Sequence, residues 1–140
     1  MAAIETLKAA ALAAIDGRRR WLIEVAETIL RHPEPGFQEF KTSRLGAERL
    51  SELGVEHEMG IALTGIKGRI GGGRPGPTVA IIGEMDCLRV PGHPYANAET
   101  AAAHACGHHC QPASMLGAAV GLLAPEVEAE LAGGVALMAL

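Results

Sequence analysis

The sequence predicts an α/β protein with a mostly parallel sheet and flanking helices. Three observations lead there. Apolar residues recur at helical spacing through the first fifty positions. Two short apolar runs, 78–83 and 134–140, read as strands buried on both faces. The helix-like run between them makes a crossover long enough to lay the second strand parallel to the first.

The elements follow in order. Ile4, Leu7, Ala11, Ile15, Leu22, Val25 and Ile29 mark one amphipathic helix over 3–31, disturbed near Gly17. His32-Pro33-Glu34-Pro35-Gly36 ends it, because proline cannot continue the hydrogen-bond ladder. A second helix runs over 41–53, with Leu45, Leu50 and Leu53 inward and Gly54 as its stop. Short strands follow at 55–59 and 65–70, and the glycine- and proline-rich 71–77 reads as a turn. Residues 84–106 read as irregular. A helix over 113–123 has Pro112 near its first turn, and Pro125 ends it. A further helical turn is expected over 126–131 before the last strand.

Composition excludes several classes of function. The chain has 140 residues and is 49% hydrophobic, enough for one modest core. A net charge of −4 gives no basic footprint for nucleic acid. No apolar run reaches the length of a membrane span. Ile4, Glu5, Leu7 and Lys8 do not make a secretory signal. The three cysteines are an odd number, and two sit among histidines. That argues against a disulfide framework and for a cytoplasmic setting.

The chemistry gathers at His104-Ala105-Cys106-Gly107-His108-His109-Cys110, between a strand and a helix, with Asp86 and His93 upstream. Ligands bind at the carboxyl ends of strands in open α/β sheets. One glycine between Cys106 and His108 lets thiolate and imidazole converge on a zinc-like ion. The helix that follows favours the thiolate. The bland alternative is a buried thiol beside a surface histidine. His104 reads as a supporting group that orients a ligand, with ligand and plain loop residue as alternatives. His109 and Cys110 stay open between metal binding, helix capping and solvent. Glu84 and Asp86, two residues apart, face one way if the strand continues, and a cation would relieve their repulsion. Cys87 reads as a small core residue, His32 as a helix-end residue and His57 as exposed.

A family resemblance adds to this. His32-Pro33-Glu34-Pro35-Gly36-Phe37 with Glu39 and Thr42 resembles the H-P-E-x-G-F-x-E-x-x-T signature of the zinc-dependent amidohydrolases of the aminoacylase/carboxypeptidase superfamily. Within it, the likeness is to the branch of aminobenzoyl-glutamate, hippurate and auxin-conjugate hydrolases. Thr64-Gly65, Gly83-Glu84-Met85-Asp86, His104-Ala105-Cys106-Gly107-His108 and Leu116-Gly117-Ala118-Ala119 match further motifs in the same order. The departures are His109, where the family has Asp or Asn, and Cys87-Leu88-Arg89-Val90 before Pro91.

The resemblance implies a zinc-exopeptidase-like catalytic domain that hydrolyses amide bonds in N-acyl amino acids or small peptides, such as aminobenzoyl-glutamate-like substrates. It implies a divalent metal, zinc or manganese, with two ions in the complete site. Cys106 and His108 become ligands, and Asp86 supports one of them. The general-base glutamate and the remaining ligands are expected beyond Leu140, in a P-A-E-E segment and later histidines that these residues do not include. The chain ends inside an apolar strand, so it is expected to be the N-terminal portion of a catalytic domain, without the lid or dimerisation domain. The full-length protein is expected to form a homo-oligomer and to have no nucleic-acid or membrane partner. A second reading is a non-catalytic metal-binding or structural fragment that needs a partner chain. A third, a thiol hydrolase using Cys106, is weaker, because a histidine two residues away rarely reaches nucleophile–base geometry.

Overall fold

The computed structural model describes residues 3–140. Where one long N-terminal helix is expected, two occur: α1 (Ile4–Gly17) and α2 (Arg19–Arg31). Arg18 leaves helical geometry at φ −106°, ψ 8°, directly after the weak helix former Gly17. Both helices pack on α4 (Cys110–Leu122). Its small residues permit the approach: a Cβ on Gly121 would stand 3.1 Å from Ile15, and one on Gly117 would stand 3.4 Å from Leu22.

The next helix, α3 (Phe40–Glu52), buries Leu50 completely and stops at Gly54, whose φ of +71° suits glycine. A hairpin follows, β1 (Glu56–Ile61) and β2 (Gly65–Gly71), paired antiparallel. Ala62 and Leu63 take positive φ in its turn. Then come β3 (Arg74–Gly83) and, after α4 and the short α5 (Pro125–Glu128), β6 (Ala132–Ala139). Two short strands, β4 (Leu88–Arg89) and β5 (Ala102–Ala103), pair within the stretch that reads as irregular.

The expected parallel crossover is present. β3 runs parallel to β6, in register from Thr78 opposite Gly134 to Gly83 opposite Ala139. The mostly parallel sheet is not. In the order β1-β2-β6-β3, the β1–β2 and β2–β6 pairings are antiparallel and only β3–β6 is parallel. The fold is therefore mixed α/β. β6 inserts between β2 and β3, which are joined by only two residues, and this connection straddles the start of β6. The straddle needs glycine. A Cβ on Gly133 would lie 2.0 Å from the Pro77 carbonyl oxygen, and one on Gly72 would lie 2.3 Å from that of Leu131. Periodicity marks strands but not their neighbours, so this insertion is invisible in the sequence.

The same order corrects the expectation for 78–83. β3 lies at the sheet edge, and Val79 and Ile82 are 58% and 57% exposed. β6, paired with β2 on one side and β3 on the other, is an interior strand, and Leu137 is fully buried. The core joins Val25, Ile29, Leu50, Ile66, Met115, Leu116 and Leu137 between the helices and one sheet face. Among the described residues, no helix is long and apolar enough to cross a membrane.

Leu137→Ala should cost about 2–5 kcal/mol, the range for a buried leucine whose site cannot collapse. Val79→Thr at the edge should stay within about 0.5 kcal/mol of the parent. Urea unfolding of both variants checks the contrast. Equal losses would mean that β3 is covered as deeply as β6.

Candidate functional site

The carboxyl end of β3 meets the start of α4. Gly83 makes this possible, because a Cβ there would stand 3.1 Å from the Gln111 backbone carbon. Gln111 then ties the two segments together. Its Oε1 accepts from the Glu84 amide at 2.9 Å, and its Nε2 donates to Glu84 Oε2 at 3.1 Å. Sequence reasoning passed over Gln111, since a lone glutamine in a helix gives no signal.

His108 sits between two carboxylates. Its Nδ1 lies 2.6 Å from Asp86 Oδ1 and 3.2 Å from the Asp86 carbonyl oxygen. Its Nε2 lies 3.1 Å from Glu84 Oε2. Ionised Asp86 only accepts, so Nδ1 carries the proton and donates it. In the neutral ring Nε2 is then a bare lone pair facing a carboxylate oxygen. Two acceptors at that distance need a second proton on the ring or a cation between them. Glu84 and Asp86 thus both face the histidine, although the strand has ended at Gly83.

This arrangement fits a divalent cation. A histidine held through Nδ1 by a carboxylate, with Nε2 free for an ion, is the usual way a ligand's orientation and tautomer are fixed. Cys106 adds a soft donor two residues away, across Gly107 at φ +98°. The thiol is exposed and makes no hydrogen bond among the described residues. Among those residues, no three His, Cys, Asp or Glu side chains converge as a cation site.

The other expected residues fall as follows. His104 is buried, and neither ring nitrogen has a partner. Burial, and then the neighbouring His109 and His108, lower its pKa to about 4. The His109 ring lies 5.4 Å from that of His104, its Nδ1 is also unpartnered, and burial lowers its pKa. Cys110 opens α4 and is exposed. His93 lies apart from this cluster in its bonding, and its Nδ1 accepts from the Tyr95 amide at 3.2 Å. Cys87 is buried, and its pKa rises to about 11, through desolvation first and the charge of Asp86 second. His32 closes α2 with Nδ1 2.8 Å from the Thr28 carbonyl oxygen, and His57 turns its Nδ1 to the Val55 carbonyl oxygen at 2.9 Å.

Two further carboxylates shape the site's surroundings. Glu34 accepts from the Lys41 and Thr42 amides and the Thr42 hydroxyl, capping α3 from seven and eight residues upstream. Glu39 is 3% exposed and accepts from the Thr64 hydroxyl at 2.7 Å and the Phe37 amide at 3.0 Å. Glu39, Thr64, Glu84, Asp86 and Gln111 all line a cleft of about 490 Å³. Glu34, Glu39 and Thr64 appear in the sequence motifs, but only the tertiary structure gives Glu34 and Glu39 this bonding.

No family model matches the chain. It is 40% identical over 103 residues to thermostable carboxypeptidase 1 of Saccharolobus solfataricus, covering 71% of this chain and 26% of that protein. It is 34% identical over 130 residues to IAA-amino acid hydrolase ILR1-like 4 of Arabidopsis thaliana, covering 84% of this chain and 27% of the relative. Its fold superposes on the Bacillus subtilis YXEP protein, described as a dinuclear metal binding peptidase from the M20 family. That match has a TM-score of 0.76 at 31% identity and covers 88% of this chain and 35% of the other. The chain thus spans about a quarter of the length of these curated relatives.

Thiol reactivity tests the geometry. The thiolate is the reactive form, so at pH 8 the exposed Cys106 and Cys110 should react quickly with an aromatic disulfide reagent. Cys87 should react only on unfolding. Three fast thiols in the folded chain would contradict the burial of Cys87.

Proposed function

We propose that this chain, which belongs to the M20 amidohydrolase family, carries one part of a metal-dependent amide-hydrolysing site, with His108 Nε2 and the Cys106 thiolate as its ligands. The observation that carries this reading is the clamp on His108. Asp86 holds the proton on Nδ1 and so aims the Nε2 lone pair at the Glu84 carboxylate, where only a cation or a second proton is tolerated. The Saccharolobus carboxypeptidase and the Arabidopsis amino acid hydrolase support an amide or peptide substrate, and the dinuclear YXEP protein supports a divalent metal.

The substrate class we favour is N-acyl amino acids or small peptides, including aminobenzoyl-glutamate-like compounds. The cleft beside Glu84 and Asp86 has room for such a molecule, and Phe37, Ile61 and Leu140 give it apolar walls. A bound divalent ion supplies Lewis-acid polarisation of the amide carbonyl and acidifies a water molecule. The chain's own residues have three further roles. Asp86 keeps His108 in one tautomer. Gln111 fixes the Glu84 carboxylate by donating to Oε2. Glu39 and Thr64 hold the cleft floor through their buried hydrogen bond. Zinc and manganese both suit imidazole and carboxylate donors, and the thiolate favours zinc.

The proton shuttle and the remaining ligands are assigned to segments outside these 140 residues. The isolated chain should therefore bind metal weakly and show no amidase turnover, since a missing general base alone costs about 10²–10⁴-fold.

Cobalt titration of the purified chain should produce a thiolate-to-metal charge-transfer band that disappears in Cys106→Ser. An absent band, or one unchanged in that variant, removes Cys106 from the ligand set. In parallel, the chain should be assayed with zinc, manganese and cobalt against N-acetyl, N-benzoyl and aminobenzoyl-glutamate substrates. No turnover is expected. Metal-dependent hydrolysis abolished by Cys106→Ala would show that these residues complete the site by themselves.

A further inference from the structure

We propose that His104 and His109 form a two-imidazole binding site for a divalent transition-metal ion, separate from the position between His108 and Glu84. His104 is 5% exposed, and both of its ring nitrogens lack a hydrogen-bond partner. The Nδ1 of His109 is buried and unpartnered as well. A neutral imidazole always holds one N–H donor and one lone pair. Buried polar groups of this kind are nearly always satisfied, so three orphaned nitrogens on two adjacent rings call for a missing partner.

The spacing of the rings identifies the kind of partner. A nitrogen–metal bond of about 2.0–2.1 Å puts an imidazole centre about 3.2 Å from the ion, so two imidazoles at a tetrahedral angle have centres about 5.2 Å apart. The observed separation is 5.4 Å, with the planes tilted by 58°. Stacked rings in van der Waals contact alone would leave the nitrogens unsatisfied. The remaining coordination positions go to solvent, which reaches this loop at the exposed Cys106 and Cys110.

The His108 ring cannot take this role, because both of its nitrogens already face carboxylates. The proposal is therefore independent of whether Cys106 and His108 ligate. The two rings lie 5.4 Å apart, with His109 at the start of α4, which begins at Cys110, and β5 ending at Ala103. His104 follows that strand directly.

The full 140-residue chain, labelled with ¹⁵N in its histidines, should be titrated with zinc and followed by long-range ¹H–¹⁵N correlation spectra. Signals are assigned with His104→Gln and His109→Asn. The expected result is that one ring nitrogen of each residue shifts to the metal-bound range with the same equivalent of zinc. Equilibrium dialysis in a Cys106→Ser background should lose one bound equivalent when His109→Asn is added. If that double variant does not fold, the parent spectra decide the matter. His104 and His109 signals that stay unmoved at saturating zinc would overturn the proposal. So would equal zinc stoichiometry in folded Cys106→Ser chains with and without His109→Asn.

Discussion

The parallel pairing of β3 with β6, closed by α4, is the constraint on which the rest depends. It requires the chain to leave β3 at Gly83 and return through α4 on the same side of the sheet. Gly83 then lies against the Gln111 backbone with no room for a side chain. Everything chemical in the molecule follows from that contact. It brings Glu84 and Asp86 to His108, across 22 residues of sequence for the Asp86–His108 pair. Gln111 locks the arrangement through a reciprocal pair of hydrogen bonds with Glu84.

The helices serve this junction indirectly. α4 is rich in Ala and Gly, so α1 and α2 approach it closely and fix its axis against the sheet. Glu34 caps α3 from the preceding loop, and Glu39 anchors the same loop to Thr64 in the hairpin turn. The main chain of that loop also meets the segment after β3, where the Cys87 amide donates to the Glu34 carbonyl at 3.0 Å. Thus the loop after α2, the turn of the hairpin and the end of β3 converge on one cleft. A buried carboxylate such as Glu39 is tolerated there because donors satisfy it.

Acidic side chains dominate the cleft at the junction. Glu39, Glu84 and Asp86 line one cleft, and among the described residues no lysine or arginine lines it with them. His108 offsets part of this charge only if it is doubly protonated. A divalent ion beside its Nε2 would satisfy the carboxylate and the lone pair together. At the other end of the motif, both ring nitrogens of His104 and the Nδ1 of His109 lack a hydrogen-bond partner.

The sequence by itself determined most of the helices and strands and the parallel crossover between β3 and β6. Helical spacing, Pro33 and Pro35, Gly54 and the β-branched run at 78–83 are local signals, and local physics obeys them. The His104–Cys110 segment was legible because few other patterns place thiols and imidazoles so densely. Only the tertiary structure decided which strands became neighbours. Strand patterns carry no address, so the insertion of β6 between β2 and β3, the antiparallel majority and the exposure of β3 could not be read from them. Gly17 marked a disturbance in the first helix, but the way α1 and α2 both pack on α4 was not legible. Asp86 was expected to support a ligand and Glu39 stood in a motif, but their bonding partners stayed hidden for the same reason. Gln111, Glu39 and the Asp86–His108 clamp exist only where distant segments meet, and those meetings are set by burial over the whole molecule rather than by any one stretch of sequence.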